Sequence, residues 1–207
     1  MKICDKNTLS IRSQNFINSW YLVEYSIKMS KIDIEHNEAF LMNATVMAVM
    51  TLEALLNDLT ETYTSRDIFD CLDKEKTTLE RFKKMIKALS GNMGEFMIDC
   101  QGGRFKKVKK TDIENFFNES KWSSICDLVH ERNKIVHYKT EDEVIIIEYD
   151  KITEHKKVRN NWEVNYNETE NLVMNMKTFL GQLKKLLSKS IDDYIPEQFS
   201  SRFNFLN

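Results

Sequence analysis

Apolar residues recur at helical spacing along most of the chain, and that periodicity predicts its elements. Between Ser10 and about Ser30, Phe16, Trp20, Val23 and Ile27 mark a first amphipathic helix. From about Glu35 to Thr64 the pattern is denser: Phe40, Met42, Val46, Met47, Val49, Met50, Leu52, Leu55, Leu56 and Leu59 leave hardly any polar face. Such a helix belongs at the centre of the fold. Its most conspicuous charge is Glu53. Thr77-Thr78-Leu79-Glu80 has the capping-box form, and Leu79, Phe82, Ile86 and Leu89 carry a third helix to about Ser90. A second box, Thr111-Asp112-Ile113-Glu114, predicts a short helix through Phe117. Ser120 then caps a helix that runs to about Tyr138. Beyond it the period changes. Val144 to Tyr149 is β-branched and aromatic, and Trp162, Val164 and Tyr166 alternate with polar residues. With the polar stretch 153–161 between them, residues 143–166 read as a two-stranded hairpin, although Ile145 and Ile147 spoil the alternation of its first strand. Asn167 with Glu170 caps a last helix, striped by Leu172, Met176, Phe179, Leu180, Leu183 and Leu187 to about Ile191. The tail after Pro196 carries Phe199, Phe203, Phe205 and Leu206, too apolar to be simply solvated, and is expected to pack on the body or on a partner.

These elements predict a mainly α fold, a helical bundle with a small appended β-hairpin. One proline and five glycines in 207 residues agree with long helices. That length suits one domain, 1–207, with a substantial core, and no linker or repeat divides it. Hydrophobic residues at 42% and charged residues at 30% are a globular balance. Four of the five glycines (Gly91, Gly94, Gly102, Gly103) fall in residues 91–110, which read as a mobile loop. It ends in Arg104-Phe105-Lys106-Lys107-Val108-Lys109-Lys110. On a chain of net charge −2 this is the one dense positive patch. Arg104, Lys106, Lys107, Lys109 and Lys110 would suit a phosphate backbone, with Phe105 available to stack on a base; the plainer reading is a solvated basic loop.

No cleavable signal and no unbroken apolar run of bilayer-spanning length is evident, so the expectation is a cytoplasmic protein without membrane contact. Cys4, Cys71, Cys100 and Cys126 are scattered, with neither a CxxC nor a Cys-His ligand spacing. They read as idle thiols, and no metal and no cofactor is expected.

The least ordinary stretch is Leu128-Val129-His130-Glu131-Arg132-Asn133-Lys134-Ile135-Val136-His137-Tyr138. Ile125, Leu128, Val129, Ile135 and Val136 form one stripe at about 100° per residue, and Arg132 falls in its middle. On a neighbouring face His130, Asn133 and His137 line up at spacings of three, four and seven. A guanidinium at a core position needs a partner. Glu53, the misplaced opposite charge on the other apolar helix, is the expected one.

Arg132, Asn133 and His137 resemble the ribonuclease motif of the HEPN superfamily: an arginine, a polar residue directly after it, and a histidine four to six residues beyond the arginine, on a late helix of a bundle. Thr51-Leu52-Glu53-Ala54-Leu55-Leu56-Asn57 is more loosely similar to the acidic stretch on an earlier helix of many members. The resemblance implies a metal-independent endoribonuclease that leaves a cyclic phosphate, works as a homodimer with a composite cleft, and serves as a toxin or in phage defence and abortive infection. A toxin would bring an antitoxin or other regulatory protein as partner.

The residue types fit that chemistry. Cleavage at a 2′-OH needs a base for the hydroxyl, an acid for the 5′-oxygen, and positive charge where the phosphorane forms. Histidine serves both proton roles near neutrality. Arginine offers a fixed cationic fork. Asn133 can hydrogen-bond the phosphate or hold the imidazole. His130 and Tyr138 read as supporting residues and Lys134 as an RNA contact. Each has a plainer reading too: His137 as a helix C-cap, His130 and Lys134 as surface residues, Tyr138 as partly buried packing, and Glu53 as half of a structural ion pair. Two other functions fit the same pattern: a non-catalytic HEPN-like module that docks a partner protein or RNA, and a purely structural helical dimer.

Overall fold

A computed structural model describes residues 6–64, 77–91, 107–136, 143–148, 151–157, 166–189 and 197–206, with backbone course alone for 6–15, 143–148, 151–157 and 197–198. The protein is mainly α. Among the described residues five helices precede a pair of strands: α1 (Lys6–Ile32), α2 (Asn37–Tyr63), α3 (Thr78–Leu89), α4 (Lys110–Glu119) and α5 (Trp122–Val136). After β1 (Glu143–Glu148) and β2 (Lys151–Lys157) come α6 (Tyr166–Ser188), α7 (Glu197–Ser201) and a 3-10 turn, Asn204–Leu206.

The dense apolar pattern of 35–64 forms the central helix. α2 packs against α1, α3, α5 and α6, and thirteen of its residues are buried, from Leu41 to Tyr63. It is nevertheless not buried all round: Met50 is exposed and Met42, Val46 and Met47 are half-buried. Thr45, Thr51 and Thr60 bond back to the carbonyls of Leu41, Met47 and Leu56, so hydroxyls on buried faces are satisfied within the helix. By length and composition alone α2 could cross a bilayer, although Asn43, Thr45, Thr51 and Glu53 interrupt its apolar run. Half of its most apolar window is covered by the other helices of the protein.

α1 lays Phe16, Trp20 and Val23 into the core, and α6 contributes Met176, Phe179, Leu180, Leu183 and Leu187. α5 packs on both α2 and α6, which fixes the motif helix against the centre of the bundle. Across the open ends of α1 and α6, Lys31 Nζ reaches Glu170 Oε1 at 2.8 Å. Hydrogen bonding to Glu170, and then to Tyr166, holds the Lys31 ammonium above its ordinary range, and the same Lys31 bond lowers the Glu170 carboxyl. Both groups are solvated, so the contact orients the ends and contributes little stability.

The C-terminal aromatic tail packs on the body. Phe205 lies 5.5 Å from the Phe16 ring and 5.8 Å from that of Trp20, while Phe199 meets Tyr63 at 5.7 Å. A buried ion pair locks this closure: Arg202 Nε donates to Asp58 Oδ2, and Nη1 donates to the Tyr63 hydroxyl at 3.3 Å. Asp58, not Glu53, is therefore the deeply buried acid of α2, with 5% of its surface exposed.

The expectations for the helix starts fare differently. The first capping box forms, with the Thr77 hydroxyl accepting from the Glu80 N–H at 3.3 Å. The second does not: α4 begins at Lys110, its N-cap is Lys109 without a side-chain cap, and Thr111 already lies inside the helix. The cause is in the chain just upstream. Val108 is buried and its N–H donates to the Ser90 carbonyl at 3.0 Å, which ties the end of the basic segment to the end of α3 and sets where α4 starts. Gly91, with φ +76°, makes that turn, and a Cβ there would stand 3.1 Å from Lys107 Cα. The motif helix starts at Trp122, whose N–H is taken by the Ser120 hydroxyl at 3.2 Å.

The strands are also not those expected. β1 pairs antiparallel with β2, with an irregularity between Ile146 and Ile147. β2 comes from the polar stretch read as the connecting loop, and Tyr166, read as the end of the second strand, opens α6. Residues 162–165 lie outside the described residues, as does most of the glycine-rich loop, 92–106. The ladder register sets Glu143 opposite Lys157 and Glu148 opposite Lys151, pairings of opposite charge across neighbouring strands. A lysine-rich segment has little strand preference of its own, so this pairing is not legible in β2 alone.

Candidate functional site

The C-terminal half of α5 leaves the core as it proceeds. Ile125, Leu128 and Val129 are fully buried, Ile135 is half-buried and Val136 is 54% exposed. Arg132 therefore stands at the rim of the core, not in its middle. That explains how a permanent cation is tolerated on an otherwise apolar stripe: its alkyl stem covers apolar surface while the guanidinium reaches the polar edge.

Glu53 on α2 receives it. Arg132 Nη2 lies 3.9 Å from Glu53 Oε2, and the side chains keep 18% and 32% of their exposure. The expected partnership of the two misplaced charges is present, but it is half-buried and loose. A second arginine completes it. Arg81 on α3 brings Nη1 to 3.5 Å from Glu53 Oε1 and donates from Nη2 to Asn57 Oδ1 at 3.0 Å. Glu53 thus bridges two guanidiniums from two helices, while Asn57, one turn further along α2, anchors one of them.

Asn133 takes a definite part. Its Oδ1 accepts from Arg132 Nη1 at 3.0 Å, so the residue after the arginine fixes the guanidinium's direction. This engages the acceptor end of the amide; its NH2 end carries the donor capacity a phosphoryl oxygen would use. Of the supporting residues, His130 is exposed on α5, and Lys134 pairs with Glu131 at 2.6 Å one turn earlier. His137 and Tyr138, which follow Val136 directly in sequence, lie outside the described residues, as do Arg104 and Lys106.

The remaining predicted RNA contacts gather elsewhere. Lys107 and Lys110 line a groove of about 510 Å3 together with Lys83 and Lys87 of α3. Lys109 is exposed beside them. On α3, Arg81 and the pair Lys83/Lys87 are separated by about 120–160° around the helix axis, so the groove and the arginine cluster occupy different sides.

Periodicity alone does not single out Arg81, although it carries a signal. Arg81, Met85 and Ala88 share a face at spacings of four and seven, and the latter two are fully buried. Arg81 is thus the same anomaly as Arg132, a cation on a core stripe, concealed by the stronger stripe of Leu79, Phe82, Ile86 and Leu89 beside it. Among the described residues no three His, Cys, Asp or Glu side chains gather as a metal site would require. Cys126 is a half-buried free thiol that burial pushes above its ordinary pKa, which keeps it protonated and unreactive near neutrality.

The charge arrangement gives a direct prediction. Glu53→Ala leaves two guanidiniums facing each other at the core's rim, and is expected to cost about 1–2 kcal/mol in thermal or urea unfolding, less than a fully buried pair because solvent screens the site. Glu53→Gln, which keeps an acceptor oxygen, should recover part of the loss; a cost for Glu53→Ala near zero would show that the bridge carries no stability.

Comparisons with protein-family models, with curated proteins and with solved structures yield no match.

Proposed function

We propose that the protein is a HEPN-like, metal-independent endoribonuclease whose chemistry centres on Arg132, Asn133 and His137. The observation that supports this most is the convergence of Arg132 with Glu53, the two residues on which the resemblance of motif helix and acidic stretch depends, at 3.9 Å. Arg132 is held by Glu53 and Asn133 yet keeps part of its surface in solvent. It can therefore meet a phosphoryl oxygen without first moving a helix. Fixed before the substrate arrives, the guanidinium stabilises charge developing on the phosphorane with little reorganisation. In this reading Arg81 positions Glu53, Glu53 positions Arg132, and the imidazole of His137 transfers the proton. A 2′-oxygen attacks phosphorus as it loses its proton to a base, the bond to the 5′-oxygen breaks with protonation by an acid, and a 2′,3′-cyclic phosphate and a 5′-hydroxyl result.

The test is incubation of the purified protein with total RNA in excess EDTA. Discrete fragments ending in cyclic phosphate are expected. Intact RNA under all conditions would favour the second reading, in which Arg132 is structural and the fold docks a protein such as an antitoxin.

A further inference from the structure

We propose that the groove between α3, the segment 107–110 and α4 is a docking site for the phosphodiester backbone of a single-stranded nucleic acid, separate from the Arg132 cluster. Four lysines face it, Lys83 and Lys87 from α3 and Lys107 and Lys110 from the segment that ties α3 to α4, against one carboxylate, Glu114. Glu114 partly offsets Lys110, at 3.7 Å. All four lysines are exposed, on a chain whose net charge is −2, so the positive potential here is local and contrasts with the rest of the surface.

The form of the array selects the ligand. A single phosphate is held by convergent donors, usually backbone N–H groups closing on one point. Here the cations are strung out over two stretches of chain, and Lys83 and Lys87 stand one turn apart, about 6 Å. Flexible ammonium groups in a row suit a polymer of regularly spaced charges, which needs neutralisation and no fixed geometry. The wall adds a stacking surface. Phe117 lines the groove and is braced edge-on against Trp122, with ring centroids 5.1 Å apart, and against Phe116 at 5.4 Å. Lys83 lies over Trp122 at 5.5 Å and over Phe117 at 6.0 Å, so a cation and an aromatic ring are presented together. A braced ring beside a row of cations serves unstacked bases, which a single strand offers and a duplex does not. Lys107 and Lys110 therefore reach their full effect only with Lys83, Lys87 and Phe117, which the fold sets beside them.

Binding at this groove does not depend on the cleavage chemistry, and the experiment keeps the two apart. The probe is a fluorescein-labelled 2′-O-methyl oligouridylate, which cannot be cleaved because its 2′-oxygen is blocked, titrated with the full chain by anisotropy across a range of salt. Affinity should fall linearly with salt on logarithmic axes. Lys83→Gln with Lys87→Gln should weaken binding and reduce the slope by about 1.4, at about 0.7 for each single-strand phosphate no longer neutralised. Lys107→Gln with Lys110→Gln should do the same, and covers the event that losing Lys83 disturbs Phe117 and Trp122. Slopes unchanged in both double variants would overturn the proposal. So would sodium tripolyphosphate competing as strongly, per phosphate, as the unlabelled oligonucleotide, since that would assign the groove to a compact anion. Lys28→Gln, at an exposed lysine of α1 outside the groove, should retain the full wild-type slope. Lysine-dependent binding in a protein that cleaves no RNA would uphold the groove and refute the ribonuclease.

Discussion

Asp58→Ala is expected to lower the melting temperature by roughly 10 °C, because breaking a buried ion pair costs about 3–5 kcal/mol and each kcal/mol moves a chain of this size by about 2–4 °C. Asp58 and Arg202 are 5% and 6% exposed, and Tyr63, which shares the guanidinium, is 3% exposed. Removing the carboxylate takes away the Oδ2 acceptor of a guanidinium that is 6% exposed and lies over the Tyr63 ring at 5.4 Å. The alternative open to the chain is to release its C-terminal turn, which would also expose Phe205 and the faces of Phe16 and Trp20 it covers. Either outcome registers in thermal unfolding. The comparison that isolates the charge is Asp58→Leu with Arg202→Met. With both charges replaced by apolar groups, most of the stability should return, since the cost of breaking a buried pair comes from the buried charge it leaves unbalanced. A single variant that melted within 2–3 °C of wild type, or less than about 1 kcal/mol, would show that the tail is not held by this contact.

The contrast between Asp58 and Glu53 shows what periodicity can and cannot reveal. Both are carboxylates on the apolar helix α2, but the hydrophobic pattern singles out only Glu53. Which one is enclosed depends on a segment 144 residues away in sequence, the tail carrying Arg202, and nothing local to α2 encodes that arrival. Glu53 is traceable because its partner lies on another strongly periodic helix with its own anomaly, and two such anomalies of opposite sign constrain each other. Arg81 obeys the same rule but sits beside a clear capping box and a stronger apolar stripe that masks its own. The helices themselves are legible because buried faces of ten or more residues repeat many times over. β2 is not: Lys151, Glu154, Lys156 and Lys157 carry little strand preference, and their pairing with β1 is a relation between two segments, not a property of either. The start of α4 is misread for a similar reason. The sequence offers Thr111 as a cap, while the buried Val108 and its bond to Ser90 decide the boundary from outside the helix.

His137→Ala is expected to abolish RNA cleavage while changing stability by less than about 1 kcal/mol, as for a polar residue outside the core. The informative form of the experiment mixes chains. Each chain supplies one histidine in the motif, whereas the reaction uses a base and an acid, so one copy is short of a complete proton-transfer set. A two-fold interface is self-complementary, and motif helices meeting near the axis would bring two copies of His137 into one groove, one as base and one as acid. The end of the motif helix is open to such a role: Val136, the residue before His137, is 54% exposed in the single chain. Wild-type and His137→Ala chains are exchanged to equilibrium in equal amounts at constant total concentration. If dimers form at random and both histidines are needed, about a quarter of the dimers remain active, and activity follows the square of the wild-type fraction. If each chain acts alone, about half the activity remains and the dependence is linear. A linear result would reject the shared cleft even in a protein that proved dimeric, and would require the second proton-transfer group to come from the same chain, where exposed His130 on α5 is the described candidate. Full activity in His137→Ala alone would remove the ribonuclease mechanism altogether.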